Sequence, residues 1–161
     1  MLEWRNTPAV RESMVNTGVI DPDQHLAWFE RIRSDRSCKW IIVSDDNGPI
    51  GVAYLTDIKS DSCSARWGFY KVPGLPPGTG TRLCRETLSF AFDTMRLRAV
   101  VGDVRRTNAA SIRMHEKLGF ERQVSPAVQT DGPLSQEMIR FVLQRDRWEL
   151  ASYSGPVQRV G

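Results

Sequence analysis

Residues 70–82, Tyr-Lys-Val-Pro-Gly-Leu-Pro-Pro-Gly-Thr-Gly-Thr-Arg, decide the fold of this 161-residue chain. An alternating strand pattern runs into this stretch, and helical spacing starts at its last glycine. Gly78 and Gly80 let the backbone approach a ligand closely, and a first helical turn offers free N–H groups at the positive end of the helix dipole. This arrangement predicts a diphosphate site. Neither a Walker A lysine nor the third glycine of a dinucleotide fingerprint is present, so a plain glycine-rich helix entry is the alternative.

A second informative stretch covers residues 108–120, Asn-Ala-Ala-Ser-Ile-Arg-Met-His-Glu-Lys-Leu-Gly-Phe. Asn108 is suited to cap a helix, and Gly119 is suited to the left-handed position that follows its end. His115 falls on the same helical face as Ile112 and Leu118. A single histidine on such a face is typical of a packed core residue, and a catalytic group is the alternative.

Strand-like and helix-like patterns alternate along the whole chain, and no domain boundary interrupts them. Asp21 followed by Pro22 predicts a strong helix start, and Asp45 to Gly48 predicts a hairpin turn. The predicted elements are helices from residues 8 and 22, strands over 38–43, 50–55 and 63–70, a helix from 80, a strand over 97–104, a helix over 108–118, and strands from 120 and over 138–143. The order predicts an α/β (α+β) fold with a mixed sheet covered by helices. Polar, small residues from Trp148 predict fraying, which gives one domain over 1–150 and a flexible tail over 151–161.

Composition excludes several function classes. Hydrophobic residues make up 40% and charged residues 25% of the chain, as in ordinary globular domains. The net charge of +3 is spread over single or paired basic residues, which argues against nucleic acid and suits a small anionic partner. No apolar run is long enough to span a membrane, and the polar N-terminus argues against a signal peptide, so we expect a cytoplasmic protein. Cys38, Cys63 and Cys84 predict buried reduced thiols rather than disulfides or a metal site.

Together the two stretches resemble the GNAT superfamily of acyl-CoA-dependent N-acetyltransferases. Gly78-Thr79-Gly80 is similar to the pyrophosphate loop of that family, and residues 108–120 are similar to its Asn-x-x-Ala/Ser-x-x-x-Tyr-Glu-Lys-x-Gly-Phe segment. The resemblance implies a mostly antiparallel central sheet and acetyl-CoA (coenzyme A) as the acetyl donor. It implies donor-binding roles for Phe69, Tyr70, Lys71, Gly78, Thr79, Gly80, Thr81, Asn108 and Ser111.

The chain departs from this pattern in three places. Leu75 stands where the family prefers Arg or Gln, and His115 stands where Tyr is commoner. The usual first strand is also missing, because the chain opens inside what would be the first helix. Without that strand, residues 38–43 would form an exposed sheet edge, which favours an upstream extension or a homodimer.

The N-terminal third resembles the GNAT branch that acetylates UDP-4-amino sugars for pseudaminic acid and related nonulosonic acids, which modify flagellin and surface glycans. Four segments carry this resemblance: Trp4-Arg5-Asn6, Val10-Arg11, Met14-Val15-Asn16, and His25-Leu26-Ala27-Trp28-Phe29. The resemblance implies a nucleotide-sugar pocket lined by Arg5, Met14, His25 and Trp28, with Thr56 and Tyr70 along the route to the thioester. Met14 and Trp28 also fit helical stripes, so a core role is the alternative.

Acetyl transfer needs a neutral amine, donors for the oxyanion and a proton for the leaving thiolate. We expect the oxyanion donors on strand 67–71, at the place where it leaves its neighbour. His115 is the predicted acid. Asp103, late in its strand, and Asp57 are the candidates for the base, and a chain of water molecules is the alternative. Acetylation of a protein N-terminus or a small amine is an alternative function, and so is a non-catalytic acyl-CoA-binding module.

Overall fold

Six strands form one sheet in the order β1-β2-β3-β4-β6-β5. The structure is a computed structural model, and it describes residues 1–14, 16–123 and 138–153. Only β3 and β4 run parallel; all other neighbouring strands in the described sheet are antiparallel. The strands are β1 (Lys39–Asp45), β2 (Gly48–Lys59), β3 (Ser64–Lys71), β4 (Ala99–Arg105), β5 (Glu121–Arg122) and β6 (Met138–Gln144). This architecture confirms the fold class predicted from the sequence.

Helices cover both faces of the sheet. They are α1 (Leu2–Asn6), α2 (Pro8–Arg11), α3 (Pro22–Ile32), α4 (Thr79–Ser89), α5 (Ala109–Lys117) and α6 (Arg145–Tyr153), with a π-helical turn over Phe90–Thr94 after α4. The predicted start of α3 is confirmed, because the Asp21 side chain accepts the backbone N–H of Asp23 at 2.9 Å and that of Gln24 at 3.3 Å. Asn108 caps α5 by accepting the N–H of Ser111 at 3.0 Å.

The alternating side chains of the sheet contribute to three buried clusters of unequal size. On one face, Leu88, Phe92 and Phe141 are fully buried within a large cluster that also holds Trp67. Each such side chain contributes roughly 1.5–3 kcal/mol by leaving water. Even-numbered residues of β3 point to the opposite face. There Tyr70 packs in a smaller cluster with residues of β2 and the N-terminal helices.

β3 and β4 separate part-way along their length. Ser64, Ala65 and Arg66 pair with Ala99, Val100 and Val101. Beyond these pairs β3 continues beside β2, and β4 continues beside β6. A V-shaped opening therefore lies between residues 67–71 and 102–105, and its backbone groups are released from the β3–β4 ladder. This is the separation expected for strand 67–71.

The C-terminal expectation was wrong where the structure describes it. Instead of fraying from Trp148, the chain forms α6. The Trp148 side chain is only 6% exposed and stacks 6.0 Å from Phe92, and Arg145 anchors the helix start by donating to the carbonyl of Leu97 at 2.7 and 2.9 Å. Residues 154–161 of the predicted tail, like Val15, lie outside the described residues.

Further expectations concerned the edge of the sheet, the cysteines, membrane-spanning helices and metal sites. β1 lies at one edge of the described sheet, as predicted, and a homodimer across this edge stays a prediction. All three cysteines are free thiols, but Cys63 is half-buried rather than buried. Within the described ranges, no helix is long and apolar enough to cross a membrane, and no three His, Cys, Asp or Glu side chains gather as a metal site would require.

Candidate active site

A cleft of about 460 Å³ occupies the opening between β3 and β4. The end of β3, the 73–78 loop, the start of α4 and the inner face of α5 form its walls. Of the residues predicted to bind the acetyl donor, all except Thr79 line it: Phe69, Tyr70, Lys71, Gly78, Gly80, Thr81, Asn108 and Ser111. The two stretches that suggested the fold therefore meet at one cleft.

The first turn of α4 fits a diphosphate. Gly78 has φ of 92°, a left-handed conformation that glycine adopts without strain, and no side chain caps the helix after it. The N–H groups of Gly80 and Thr81 lie in the first turn, where no bond within the helix is available to them. Oriented N–H groups at the positive end of a helix dipole are the donors that phosphate oxygens prefer.

The departure at Leu75 has a structural reason. Its side chain packs against the buried cluster of Ile50, Ala53 and Leu83. Its carbonyl accepts the Lys71 ammonium at 2.9 Å, which ties the loop back to β3. The backbone cradle for the diphosphate is therefore held without the side-chain contact that Arg or Gln would supply. The cleft therefore offers backbone N–H donors that suit the diphosphate of acetyl-CoA.

His115 lies in the wall of the cleft, but most of its side chain is enclosed. It is 3% exposed, and the aromatic rings of Trp67, Phe120 and Phe141 lie 4.8–5.5 Å from its ring. Its Nδ1 donates to the carbonyl of Ser111 at 2.8 Å. Its Nε2 accepts the indole N–H of Trp67 at 3.2 Å. Because a carbonyl only accepts and an indole N–H only donates, this pattern requires the neutral ring with its proton on Nδ1.

These bonds argue against the predicted role of His115 as the acid. Its one proton is held by a backbone carbonyl, and Nε2 has no proton to give. Burial lowers the pKa of His115, with an opposing contribution from the bond to Ser111. A cationic ring that could donate from Nε2 is therefore disfavoured. The geometry makes His115 a positioning residue for Trp67 and α5.

Asp103 lines the cleft but is held by two arginines. Arg140 of β6 donates to it from Nε at 2.8 Å and from Nη2 at 3.1 Å. Arg66 of β3 also donates to it and lies 3.8 Å from Asp57. Both carboxylate oxygens of Asp103 are therefore engaged by arginine donors. This contact argues against the predicted base role of Asp103 and makes it an anchor that joins β3, β4 and β6 beside the opening.

A second cavity of about 270 Å³ lies between the N-terminal helices and the strands β1–β3. Five of the six residues predicted to bind the acceptor substrate line it: Arg5, Met14, His25, Trp28 and Tyr70. Met14 and Trp28 thus face a cavity rather than a closed core, and Phe29, on the same helix, is 45% exposed. Thr56 lies outside both cavities, where it pairs with Arg66 of β3.

Aromatic rings form the walls of this second cavity. Trp28 meets Trp40 edge to face with ring centroids 4.6 Å apart, and Trp40 stacks on Tyr54 at 4.4 Å. His25 lies 5.1 Å from Trp28, and burial lowers the pKa of His25, as does the charge of the N-terminal ammonium to a smaller extent. A row of rings of this kind suits a flat, planar ligand group.

Arg5 supplies the positive charge of the second cavity. Its Nη2 donates to the carbonyl of Asn16 at 2.6 Å. Its Nη1 is buried and has no hydrogen-bond partner among the described residues. A buried cationic N–H without a partner is costly, and an oxygen atom of a ligand would satisfy it. The cavity is therefore prepared for a group that accepts hydrogen bonds or carries negative charge.

The two cavities meet at Met14, Tyr54 and Tyr70, which line both. Tyr54 lies across the backbone of Gly68, close to where β3 leaves β4. A Cβ on residue 68 would lie 2.2 Å from the Tyr54 hydroxyl oxygen, so only glycine leaves room for this ring. A donor cleft and an acceptor cavity that share part of their walls are what a group-transfer enzyme with two substrates requires.

A separated pair of parallel strands, a helix start suited to a diphosphate and an adjoining cavity for an acceptor are the features of an acyl-CoA-dependent acyltransferase. The Acetyltransferase (GNAT) domain matches residues 1–121, and the chain belongs to this family. It is an N-acetyltransferase that uses acetyl-CoA as the acetyl donor.

The chain is similar to two particular acetyltransferases. Acetyltransferase PseH of Campylobacter jejuni (strain 81-176) is 28% identical over 120 residues, which is 74% of each chain. The crystal structure of C. jejuni PseH with acetyl coenzyme A superimposes with a TM-score of 0.68 at 20% identity, over 90% of this chain and 87% of that one. Spermidine N-acetyltransferase of Vibrio cholerae, solved with CoA and spermine, gives 0.80 at 16% identity, over 92% and 89%. The chain is a PseH-like GNAT protein.

Sequence reasoning missed several residues of the site. Trp40 and Tyr54 lie on neighbouring strands and face the acceptor cavity, and the alternation of β1 and β2 would have placed both on one face. Gly102 was missed without any local signal. A Cβ there would lie 2.6 Å from His115 Nε2 and 2.7 Å from Trp67 Nε1, so this glycine makes the Trp67–His115 contact possible.

Proposed function

We propose that this enzyme transfers acetyl from acetyl-CoA to the 4-amine of a UDP-4-amino-4,6-dideoxy sugar in the synthesis of pseudaminic acid or a related nonulosonic acid. Products of that kind serve flagellin and surface-glycan modification, and the reaction would take place in the cytoplasm, where nucleotide sugars are made. The observation that carries the proposal is the acceptor cavity, which combines aromatic walls with the unpartnered Nη1 of Arg5.

The chemistry of a UDP-sugar matches this cavity. The uracil ring is flat and stacks on aromatic side chains, and its carbonyl oxygens or the diphosphate can accept from Arg5. The sugar would then reach past Met14 and Tyr70 toward the donor cleft. The relationship to PseH supports the same substrate class.

A polyamine acceptor fits less well, although the spermidine enzyme has a similar fold. A polyamine is a flexible polycation, and carboxylates are the partners it requires. Among the residues that the structure describes, those lining the acceptor cavity include no Asp or Glu, and the charged side chain there is the cation Arg5. Like charges in a confined space repel. The cavity therefore favours an anionic acceptor over spermidine.

The test is thiol release from acetyl-CoA with a panel of amines: a UDP-4-amino-4,6-dideoxy sugar, spermidine and an N-terminal peptide. We expect rapid release with the UDP-sugar. UDP alone should inhibit competitively against the sugar nucleotide and not against acetyl-CoA. Release with spermidine or peptide in preference to the UDP-sugar would overturn the proposal.

Two variants on one helix sharpen the test. Trp28→Leu should raise KM for the sugar nucleotide ~10-fold or more, because a base–aromatic stack contributes about 1–3 kcal/mol. Phe29→Leu is the matched control, since Phe29 is exposed outside the cavity. Equal effects of the two variants would show that Trp28 acts through helix stability and not through the substrate.

A further inference from the structure

Acetyl transfer to an amine needs a group that carries a proton between the two substrates. The attacking nitrogen loses a proton, and the departing sulfur gains one. The group that moves it must reach both the acceptor cavity and the donor cleft. Met14, Tyr54 and Tyr70 line both, and of these three only the tyrosines have an ionisable proton.

We propose that the Tyr54 hydroxyl is the catalytic proton carrier of this enzyme. This inference rests on the proposed function only in needing an amine acceptor in the second cavity, and not on which amine it is. The hydroxyl oxygen lies against Gly68 of β3, two residues beyond Arg66, which is the last residue of β3 paired with β4. It is thus at the mouth of the opening that accepts the thioester.

Tyr54 is better placed than Tyr70. Tyr70 is 8% exposed, and its ring packs with Val10 and Val52 in the smaller core. Tyr54 is only half-buried, and its ring is fixed by stacking on Trp40 at 4.4 Å. A fixed ring whose hydroxyl lies against Gly68, in the wall shared by the two cavities, is an arrangement suited to proton transfer between them.

The surroundings of Tyr54 keep its proton in place until the reaction. Burial raises the pKa of Tyr54, and the nearby positive charge of Arg5 partly opposes this rise. Burial likewise raises the pKa of Tyr70 to about 12. Both hydroxyls are therefore protonated at neutral pH and can donate. His115 has no such proton, because its Nδ1–H is held by Ser111.

The step balances without a further reactant. The amine nitrogen attacks the acetyl carbonyl carbon and forms the C–N bond. The C–S bond then breaks with its electron pair on sulfur, and the Tyr54 O–H gives its proton to that sulfur. The tyrosinate takes back a proton from the acylated nitrogen, which leaves a neutral amide, a free thiol and the starting hydroxyl.

The first test is Tyr54→Phe, which keeps the ring on Trp40 and removes only the hydroxyl. We expect kcat to fall ~10²-fold or more, the size usual for a lost acid–base group, with both KM values changed less than about threefold. Titration calorimetry should give the same Kd for acetyl-CoA as in the wild type. Tyr70→Phe is the comparison, and a larger loss of kcat there than in Tyr54→Phe would overturn the assignment.

The leaving group provides a second test. A thioester of an acidic aryl thiol needs little help from an acid, because its thiolate is already a good leaving group. The defect of Tyr54→Phe should shrink strongly with S-acetyl-4-nitrothiophenol as donor, measured as kcat/KM against the wild type. An equal defect with both donors would mean that Tyr54 only orients the acceptor.

A third measurement does not depend on the folding of Tyr54→Phe. Replacement of all tyrosines by 3-fluorotyrosine, in a Tyr70→Phe background, lowers the phenol pKa without removing a group. The alkaline limb of kcat should move to lower pH; an unmoved limb would overturn the proposal. Arg5, His25 and Tyr70 are the other titratable or charged groups that face Tyr54 from α1, α3 and β3.

The outcomes separate this proposal from the substrate assignment. Wild-type turnover of another amine, and not of the UDP-sugar, would remove the sugar assignment, and the Tyr54 comparison would then be made with that amine. Absence of thiol release with every amine, while acetyl-CoA still binds, would overturn both.

Discussion

The indole N–H of Trp67 donates to Nε2 of His115 across 3.2 Å, and Gly102 leaves the space in which they meet. This bond joins β3 to α5 across the opening between β3 and β4. It lies beside the place where β3 and β4 separate, and it fixes the histidine as a neutral acceptor. The residue that the sequence suggested as an acid thus helps to shape the donor cleft.

The free energy of unfolding should fall as the pH drops far enough for His115 to be protonated. The pKa of His115 is lowered in the folded protein from the ordinary value of 6.5. Its contribution is fully present above pH 6.5 and is lost as the pH falls toward the folded pKa, because the unfolded chain binds the proton more readily. We expect the free energy of unfolding to fall by up to about 1.4 kcal/mol per pH unit, measured by urea denaturation between pH 7.5 and 5.5.

His115→Gln is the control for this pH dependence. The amide oxygen of glutamine can still accept from Trp67, but the side chain does not titrate. The slope below pH 6.5 should flatten, leaving the smaller contribution of His25, whose pKa is also lowered. An unchanged slope would assign the effect elsewhere. If Tyr54 carries the proton, kcat of His115→Gln should fall less than about tenfold, well short of the loss expected for an acid–base group.

Asp103 and Arg140 should behave as one structural unit. Their ion pair has two contacts, at 2.8 and 3.1 Å, and the Asp103 side chain is 11% exposed. Asp103→Asn and Arg140→Met should each lower stability by about 1–3 kcal/mol and reduce kcat by similar factors, as thermal melts and steady-state rates would reveal. A loss of kcat beyond 100-fold in Asp103→Asn alone would restore the base role suggested by the sequence.

The sequence was most informative where one local pattern determines one structure. The cap at Asp21, the glycines before α4 and the capped helix at Asn108 each determine their own backbone, and all three were predicted. Contacts between distant segments carry no such signal. The pairing of Arg140 with Asp103 and the enclosure of His115 depend on how the strands pack. The sequence therefore could not show the contacts that argue against the catalytic roles predicted for Asp103 and His115.

The acceptor cavity, too, could be predicted from the sequence only in part. The sequence named Arg5, His25 and Trp28 through a resemblance, and the fold brings them to one cavity. It could not distinguish a stripe that faces a core from one that faces a cavity, because both are apolar and both repeat with helical spacing. Only the neighbouring strands, with Trp40 and Tyr54, determine which of the two is formed.

Gly78→Ala should weaken acetyl-CoA binding. The residue has φ of 92°, where an L-residue costs about 1–2 kcal/mol, and relaxation of that strain would turn the first N–H groups of α4 away from the diphosphate. We expect KM for acetyl-CoA to rise ~10-fold, with kcat at saturation nearly kept. Gly74→Ala is a matched control, because Gly74 has φ of 80° but lies outside the cleft. A similar rise in KM for both variants would attribute the effect to loop strain alone.

Arg5→Met should separate stability from substrate binding. The buried Nη1 of Arg5 lacks a partner, and such a group costs about 1–3 kcal/mol, whereas its Nη2 contributes one bond to Asn16. Methionine keeps an apolar chain of similar reach and removes both effects, so the melting temperature should be unchanged or higher. KM for the UDP-sugar should rise ~10-fold or more, because a charge-assisted bond contributes about 1.5–3 kcal/mol, while KM for acetyl-CoA stays the same. A lower melting temperature with unchanged KM for the acceptor would make Arg5 a structural residue and leave the acceptor cavity without its proposed anion contact.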